Sequence, residues 1–282
     1  MKRALVDYST SSESESEREI APVQAKKRKL LPTLSATLAP AVPKDDPSQH
    51  QGRIRSQPFV DGQFATHIYA PISTSILHNI IESVIKDVRE ACKDLELFSL
   101  LEVPKQEGIS DDVSTETGKE LLEELHLSVS RPLFLRSHQR DLVTKTVKDI
   151  ARRTNSSPST IIDPSRSFHA SFASFGILNN DEGTRSFLVI EIGAGHAEFS
   201  NISTALTPLL TELRQPAYYS SPRYHVSIAW ILTTATDAPK FPESLQKTLQ
   251  DKFGEPLREI VLEINEICTK IGKTTTRCKL TT

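Results

Sequence analysis

Along this chain, stretches whose apolar residues recur at every second position alternate with stretches where they recur every third or fourth. Residues 63–69 alternate and predict a strand that Pro71 closes. Ile76, Leu77, Ile80, Ile81, Val84, Ile85 and Val88 follow at helical spacing, predicting a core-facing helix over residues 75–95. A short strand over residues 124–130 and a turn at Arg131-Pro132 precede a second helical stretch, residues 136–153, carrying Leu142, Val143, Val147 and Ile150 on one face. Residues 168–177 and 184–192, rich in β-branched and aromatic side chains, flank the turn-forming cluster 179–183 and predict a hairpin. Helical spacing returns over residues 196–214 and alternation over residues 224–230. A short helix over 242–253 and a hairpin of 257–268 with 274–280 complete the chain. No glycine-rich strand-to-helix turn occurs, so the order of blocks predicts an α+β fold with antiparallel sheets and helices on one face, not a doubly wound one.

Two segments fall outside this periodicity. Residues 1–57 hold a Ser/Glu run from Ser9 to Glu19, the basic cluster Lys26-Lys27-Arg28-Lys29 and several prolines. They offer too little apolar surface to offset chain entropy, so a disordered tail is expected, with one folded domain over residues 58–282. The basic cluster fits a nuclear import signal and equally a solvated charge run; the Ser/Glu run fits a phosphorylation substrate or a solubilising tail. Residues 104–119, acidic and aperiodic, read as a surface insertion with no assigned chemistry.

With 282 residues, 37% hydrophobic and 25% charged, the chain suffices for one sizeable core or two lobes sharing an interface. No apolar run approaches the roughly 18 residues of a membrane span, and the N-terminus lacks the build of a secretion signal, so no membrane association is expected. Cys92, Cys268 and Cys278 show neither a disulfide framework nor zinc-site spacing and read as reduced, packed thiols. A formal net charge of −2 gives no whole-molecule attraction to nucleic acid, so any RNA contact must come from a local groove.

The chemistry concentrates in a duplicated pattern: Leu125-His126-Leu127-Ser128-Val129 and Tyr224-His225-Val226-Ser227-Ile228. On a strand, His126 and Ser128 share one face while Leu125, Leu127 and Val129 take the other; His225 and Ser227 repeat this against Tyr224, Val226, Ile228 and Trp230. Each His and its Ser then sit roughly 6.6 Å apart at Cα, within reach of one phosphate, and two such strands facing each other would surround it. Cleaving RNA without a metal needs a base for a 2′-hydroxyl, an acid for the leaving 5′-oxygen and donors for the non-bridging oxygens. Imidazoles with an unperturbed pKa near 6.5 suit the first two, and serine hydroxyls the third. One His-x-Ser alone says little, since His169-Ala170-Ser171 is a third instance.

With these motifs, and with Ala65-Thr66-His67-Ile68-Tyr69, Leu135-Arg136-Ser137-His138, Thr184-Arg185-Ser186-Phe187-Leu188 and His196-Ala197-Glu198-Phe199, the sequence resembles the 2H phosphoesterase superfamily. Within it, the sequence is similar to the U6 small nuclear RNA phosphodiesterase family, fungal members included. The resemblance implies a two-lobed, pseudo-symmetric fold with a central groove where the two motifs meet. It further implies a nuclear, monomeric 3′-to-5′ exonuclease that trims the uridine tail of U6 without a cofactor or metal and leaves a 2′,3′-cyclic phosphate or, after ring opening, a 3′-phosphate. His126, His225, Ser128 and Ser227 are its implied catalytic residues. Tyr219 is the implied base-stacking residue, with Tyr218 beside it as a rival. His67, His138, His169 and His196 read as structural. A cyclic phosphodiesterase of another 2H type and a non-catalytic RNA-binding module on the same fold remain as alternatives.

Overall fold

The period-two stretches become strands and the helical stretches become helices, close to where the sequence predicts them. The computed structural model describes residues 46–53, 60–102, 122–152, 166–233 and 240–281, all within the compact unit 43–282. In chain order the elements are β1 (Gln63–Ser73), α1 (His78–Ala91), β2 (Phe98–Ser99), β3 (Glu124–Ser128), β4 (Leu133–Arg136), α2 (Arg140–Arg152) and β5 (Phe168–Asn179). They continue with β6 (Arg185–Ile192), α3 (His196–Glu212), β7 (His225–Leu232), α4 (Leu245–Arg258), β8 (Val261–Ile264), β9 (Glu266–Ile271) and β10 (Thr274–Lys279). The insertion expected at 104–119 and the tail boundary at 57–58 lie outside the described residues. Within the expected tail, residues 47–50 form a 3-10 turn, and Arg53 sits over the Trp230 ring at 5.6 Å.

The strands form one antiparallel sheet in the order β10-β9-β1-β3-β7-β6-β5-β8, with β4 added to β1 and β2 to β7. It divides into two halves, β10-β9-β1-β3 and β7-β6-β5-β8, each with one His-x-Ser motif on its inner strand. Helix α2 packs over β9 and β10 and against α3, whereas α4 packs over β5 and against α1. The apolar stripes account for this: Ile81, Val84, Ile85 and Val88 of α1 and Val143, Val147 and Ile150 of α2 are buried. The opposite face of the sheet is left for chemistry.

Three features depart from expectation. Strand β1 runs through Pro71 to Ser73. Its hydrogen bonds to the β3 side come from even-numbered positions, Val129 N–H to Ile68 C=O and Thr74 N–H to Glu123 C=O. The N–H that Pro71 lacks therefore points to the other side, where pairing with β9 ends at Tyr69↔Cys268. The final hairpin does not begin at residue 257, because α4 continues to Arg258 and the following strand breaks at Asn265. β8 before the break pairs with β5, and β9 after it pairs with β1, so one residue joins β8, at one end of the strand order, to β9, next to the other end. Lastly, the two motif strands do not face each other across a gap: they are neighbours in the sheet, with Leu127 paired to Val226.

That junction is backed by a buried chain of hydrogen bonds. Tyr224 O–H donates to Ser203 Oγ at 3.0 Å, and Ser203 O–H donates to the Val129 carbonyl at 3.0 Å. Helix α3 thereby grips the residue before His225 and the residue after Ser128. Ser203→Ala takes from a buried phenol one of its partners, Ser200 being the other, and from a buried carbonyl its donor. It should lower unfolding free energy by about 1–3 kcal/mol in urea titrations, while Thr211→Ala on the exposed side of α3 should change it by less than about 0.5 kcal/mol.

Candidate active site

Leu127 and Val226 point into the core with no exposed surface, which turns their sequence neighbours to the open face. Continuing the Leu127↔Val226 register by one residue each way sets Ser128 opposite His225 and His126 opposite Ser227. The four side chains form a compact quartet, with directly opposed Cβ atoms about 5 Å apart and the two histidines on a diagonal of about 7–8 Å. Immediately after Ser227 the register between β6 and β7 shifts at Leu188/Val189. The shift places an extra residue in β7, and Ile228 to Ile231 beyond it are buried, with Phe98 of β2 stacked on Trp230, so the open stretch of the strand ends at the motif.

His225 is fixed in one tautomer. Its Nδ1 lies 2.6 Å from the Arg223 carbonyl, which can only accept, so Nδ1 carries the proton and Nε2 is turned to the quartet. Glu191, opposite His225 on β6, is held by the Arg223 guanidinium, with Nε at 2.7 Å and Nη2 at 2.5 Å from Oε1. Burial holds the His225 pKa below 6.5, with the Arg223 carbonyl and Glu191 acting in the opposite direction and the Arg223 charge adding to the depression. His126 is also held below 6.5, first by desolvation among the surrounding side chains and then by His225 and Lys270.

A fifth group completes the cluster, and it is one that the sequence alone marks as structural. His67 Nε2 lies 2.8 Å from Ser128 Oγ. Its ring stacks on Tyr69 at 5.1 Å and meets His126 edge-on at 4.9 Å. Burial, with His126 and Lys270 nearby, pushes its pKa down to about 3. A signal for it exists in the sequence: in a strand over residues 63–69, His67 and Tyr69 share a face whose only aliphatic side chain is the small Ala65.

The remaining histidines sit elsewhere. His196 Nε2 donates to the Pro222 carbonyl at 3.0 Å, tying the first turn of α3 to the segment leading into β7. Gly195, at φ 90°, lets that helix start so close to β5 that an added Cβ would lie 2.7 Å from the Ala170 Cβ. His169 pairs with Glu263 on β8, and His138 lies in an exposed 3-10 turn. The two tyrosines are distinguished by burial. Tyr218 O–H donates to the Ser128 carbonyl at 3.0 Å and its ring stacks on Tyr224, so it supports the motif strands. Tyr219 is 43% exposed, with its O–H 3.1 Å from Asp181 Oδ1 and the Arg131 guanidinium over its ring at 4.2 Å.

Two histidines and two serines thus gather on the open face of two neighbouring strands, a grouping that offers an acid, a base and two hydroxyl donors. The chain belongs to the HVSL family, described as an uncharacterised conserved protein, whose family model matches residues 31–279. Its relatives include proteins named U6 snRNA phosphodiesterase 1. The one from Mus musculus is 28% identical over 84% of this chain and 73% of the relative. The one from Drosophila melanogaster is 26% identical over 98% and 96%, and the one from Neurospora crassa 27% over 84% and 69%. Among solved structures, Kluyveromyces marxianus Usb1 shares the fold, with a TM-score of 0.50 at 13% identity over 77% of this chain and 98% of that one.

An NMR titration of the imidazoles tests the electrostatics. His67 should stay neutral down to about pH 3, because burial penalises its charged form, while His126 and His225 titrate on the acid side of 6.5. A His67 signal titrating near 6.5 would contradict this arrangement.

Proposed function

We propose that this protein is an RNA phosphodiesterase that shortens 3′ ends by acid–base catalysis, with the uridine tail of U6 small nuclear RNA as its substrate. The observation that carries the reading is the quartet, with its histidines on one diagonal, its serines on the other and the His225 tautomer set by Arg223. A phosphodiester seated over it meets a base, an acid and two hydroxyl donors at once, so the reaction is complete without a metal.

The two histidines have different surroundings. Burial opposes a charge on both, but at His225 Glu191 and the Arg223 carbonyl act against burial and the Arg223 charge, whereas at His126 His225 and Lys270 only add to it. His126 is therefore the base. It takes the proton of the penultimate 2′-hydroxyl, whose oxygen attacks phosphorus. His225 gives its Nε2 proton to the departing 5′-oxygen, releasing the terminal nucleoside and leaving a 2′,3′-cyclic phosphate on the shortened RNA. Ser128 and Ser227 donate to the non-bridging oxygens. Tyr219, exposed and next in the chain to Tyr218, which bonds the Ser128 carbonyl, offers a ring on which the terminal base stacks. Action on U6 places the protein in the nucleus, and the quartet lies within one chain, so a monomer suffices.

His67 is a positioning residue. In the tautomer that carries its proton on Nε2, it donates to one lone pair of Ser128 Oγ and leaves the serine O–H to donate to phosphate.

Incubation in EDTA with a 5′-labelled uridine-tailed RNA should give stepwise 3′ shortening, and a 2′-deoxy penultimate sugar should block it. His126→Ala and His225→Ala should each cost on the order of 10²- to 10⁴-fold. A 5′-thio leaving group, which needs no acid, should rescue His225→Ala and not His126→Ala; the reverse pattern would overturn the assignment of roles. His67→Ala should lower kcat about fivefold to tenfold with little change in KM, and His67→Gln, which retains a donor near Nε2, should restore part of it. In a double-mutant cycle the losses from His67→Ala and Ser128→Ala should be non-additive. Additive losses would mean that His67 merely packs.

A further inference from the structure

The outer edge of the sheet carries a feature that the quartet does not use. β10 ends the strand order. Between it and α2 lies a recess of about 350 Å³, lined by Thr144, Lys148 and Arg152 on the helix and by Thr276, Arg277 and Lys279 on the strand. Among the described residues, no carboxylate lines it. Arg277 is already committed, holding Glu124 at 2.9 and 2.6 Å and Glu266 at 2.5 Å, which also neutralises much of the negative charge beside the recess. Lys148, Arg152 and Lys279 are exposed and make no ion pair among the described residues. In a chain of net charge −2, unpaired cations collected around one recess mark a local polyanion-binding surface.

The strand register connects this recess to the quartet. Arg277 pairs with Cys268, Cys268 with Tyr69 and Tyr69 with Ser128, which is three strand steps at about 4.8 Å each, about 14 Å in all. Between them Lys270 of β9 lies opposite His67, on the same face as the quartet, exposed and without an ion-pair partner among the described residues. Direction follows from the roles of the two histidines. The acid His225 on β7 serves the leaving nucleoside, and the base His126 on β3 serves the sugar of the retained strand. The order β7-β3-β1-β9-β10 thus puts the retained RNA on the β10 side.

We propose that the RNA upstream of the scissile phosphate crosses β1 and β9 past Lys270, turns over the outer edge at β10, and seats a backbone phosphate in the recess of Lys148, Arg152 and Lys279. This surface rests on the phosphodiesterase reading and adds to it a distal, sequence-independent grip on the substrate. Its reach is a few nucleotides, so it acts only on RNAs long enough to extend from β3 to the sheet edge.

The test compares the full-length wild type with Lys148→Gln/Arg152→Gln on two substrates: a uridine dinucleotide, which cannot reach β10, and a longer uridine-tailed RNA. Both substituted positions are exposed. A Lys240→Gln/Lys247→Gln variant, changed near α4, controls for net charge. The recess variant should lose on the order of tenfold in kcat/KM on the long RNA at low salt and keep wild-type cleavage of the dinucleotide. Its salt slope should be shallower by about 0.7 for each phosphate that the variant no longer neutralises. Unchanged cleavage of the long RNA, an equal loss on both substrates, or an equal loss in the control would overturn the path while leaving the phosphodiesterase reading intact. Failure of the wild type to cleave either substrate would instead remove that reading, and the path with it.

Discussion

The site depends on one narrow junction, the pairing of β3 with β7 at Leu127↔Val226. All four motif side chains take their positions from it, since a slip of one residue in either strand would turn its histidine into the core and its apolar residues outward. A pairing this short is weak as a ladder, and the surrounding structure compensates from beneath. Leu127 and Val226 are fully buried, and α3 links Tyr224 to Val129 through Ser203. Tyr218 adds a third tie, from the approach to β7 to the Ser128 carbonyl. Hydrogen bonds in this buried setting are costly to leave unmade, so they fix the register more strongly than the sheet itself does.

The same burial that secures the junction depresses the histidines. His67, His126 and His225 all hold their protons less tightly than a free imidazole. For His67 the downward shift is large, and its proposed part is to orient Ser128. For the other two it means that the empty site favours the neutral form. A phosphodiester entering the quartet brings negative charge and opposes that depression. On the proposed roles, substrate thus favours the charged acid, with Glu191 and the Arg223 carbonyl drawing His225 toward that form.

Much of this is legible in the sequence because the strand period is two. Alternation around His126 and His225 assigns both to an open face beside their serines, and four helices appear where apolar residues recur at 3.6. The relation between the two copies is not legible: nothing local distinguishes strands that face each other from strands that lie side by side. The break at Asn265 escapes for a similar reason, since residues 261–271 look like one apolar strand until their partners, β5 and then β1, are known. Residue type also cannot separate Tyr218 from Tyr219, because burial alone does so. His67 is different. Its alternation is visible, yet its own segment carries no second chemical group to give it a role, Ser128 being sixty-one positions away in sequence.

The duplication of the motif invites a symmetric account of the reaction, and the flanking strands argue against it. Next to the first motif, β1 presents Tyr69 opposite Ser128 and Pro71 opposite His126, with His67 reaching Ser128. Next to the second, β6 presents Glu191 opposite His225 and Val189 opposite Ser227, and no described side chain hydrogen-bonds to Ser227. The first copy thus has a supported serine and an unsupported histidine, the second a supported histidine and an unsupported serine. Each support lies where the proposed chemistry requires it, a carboxylate behind the acid and a neutral imidazole behind the hydroxyl donor. With that division of labour, the two motif strands cease to be interchangeable, and the site acquires the polarity that cleavage from one end of a strand demands.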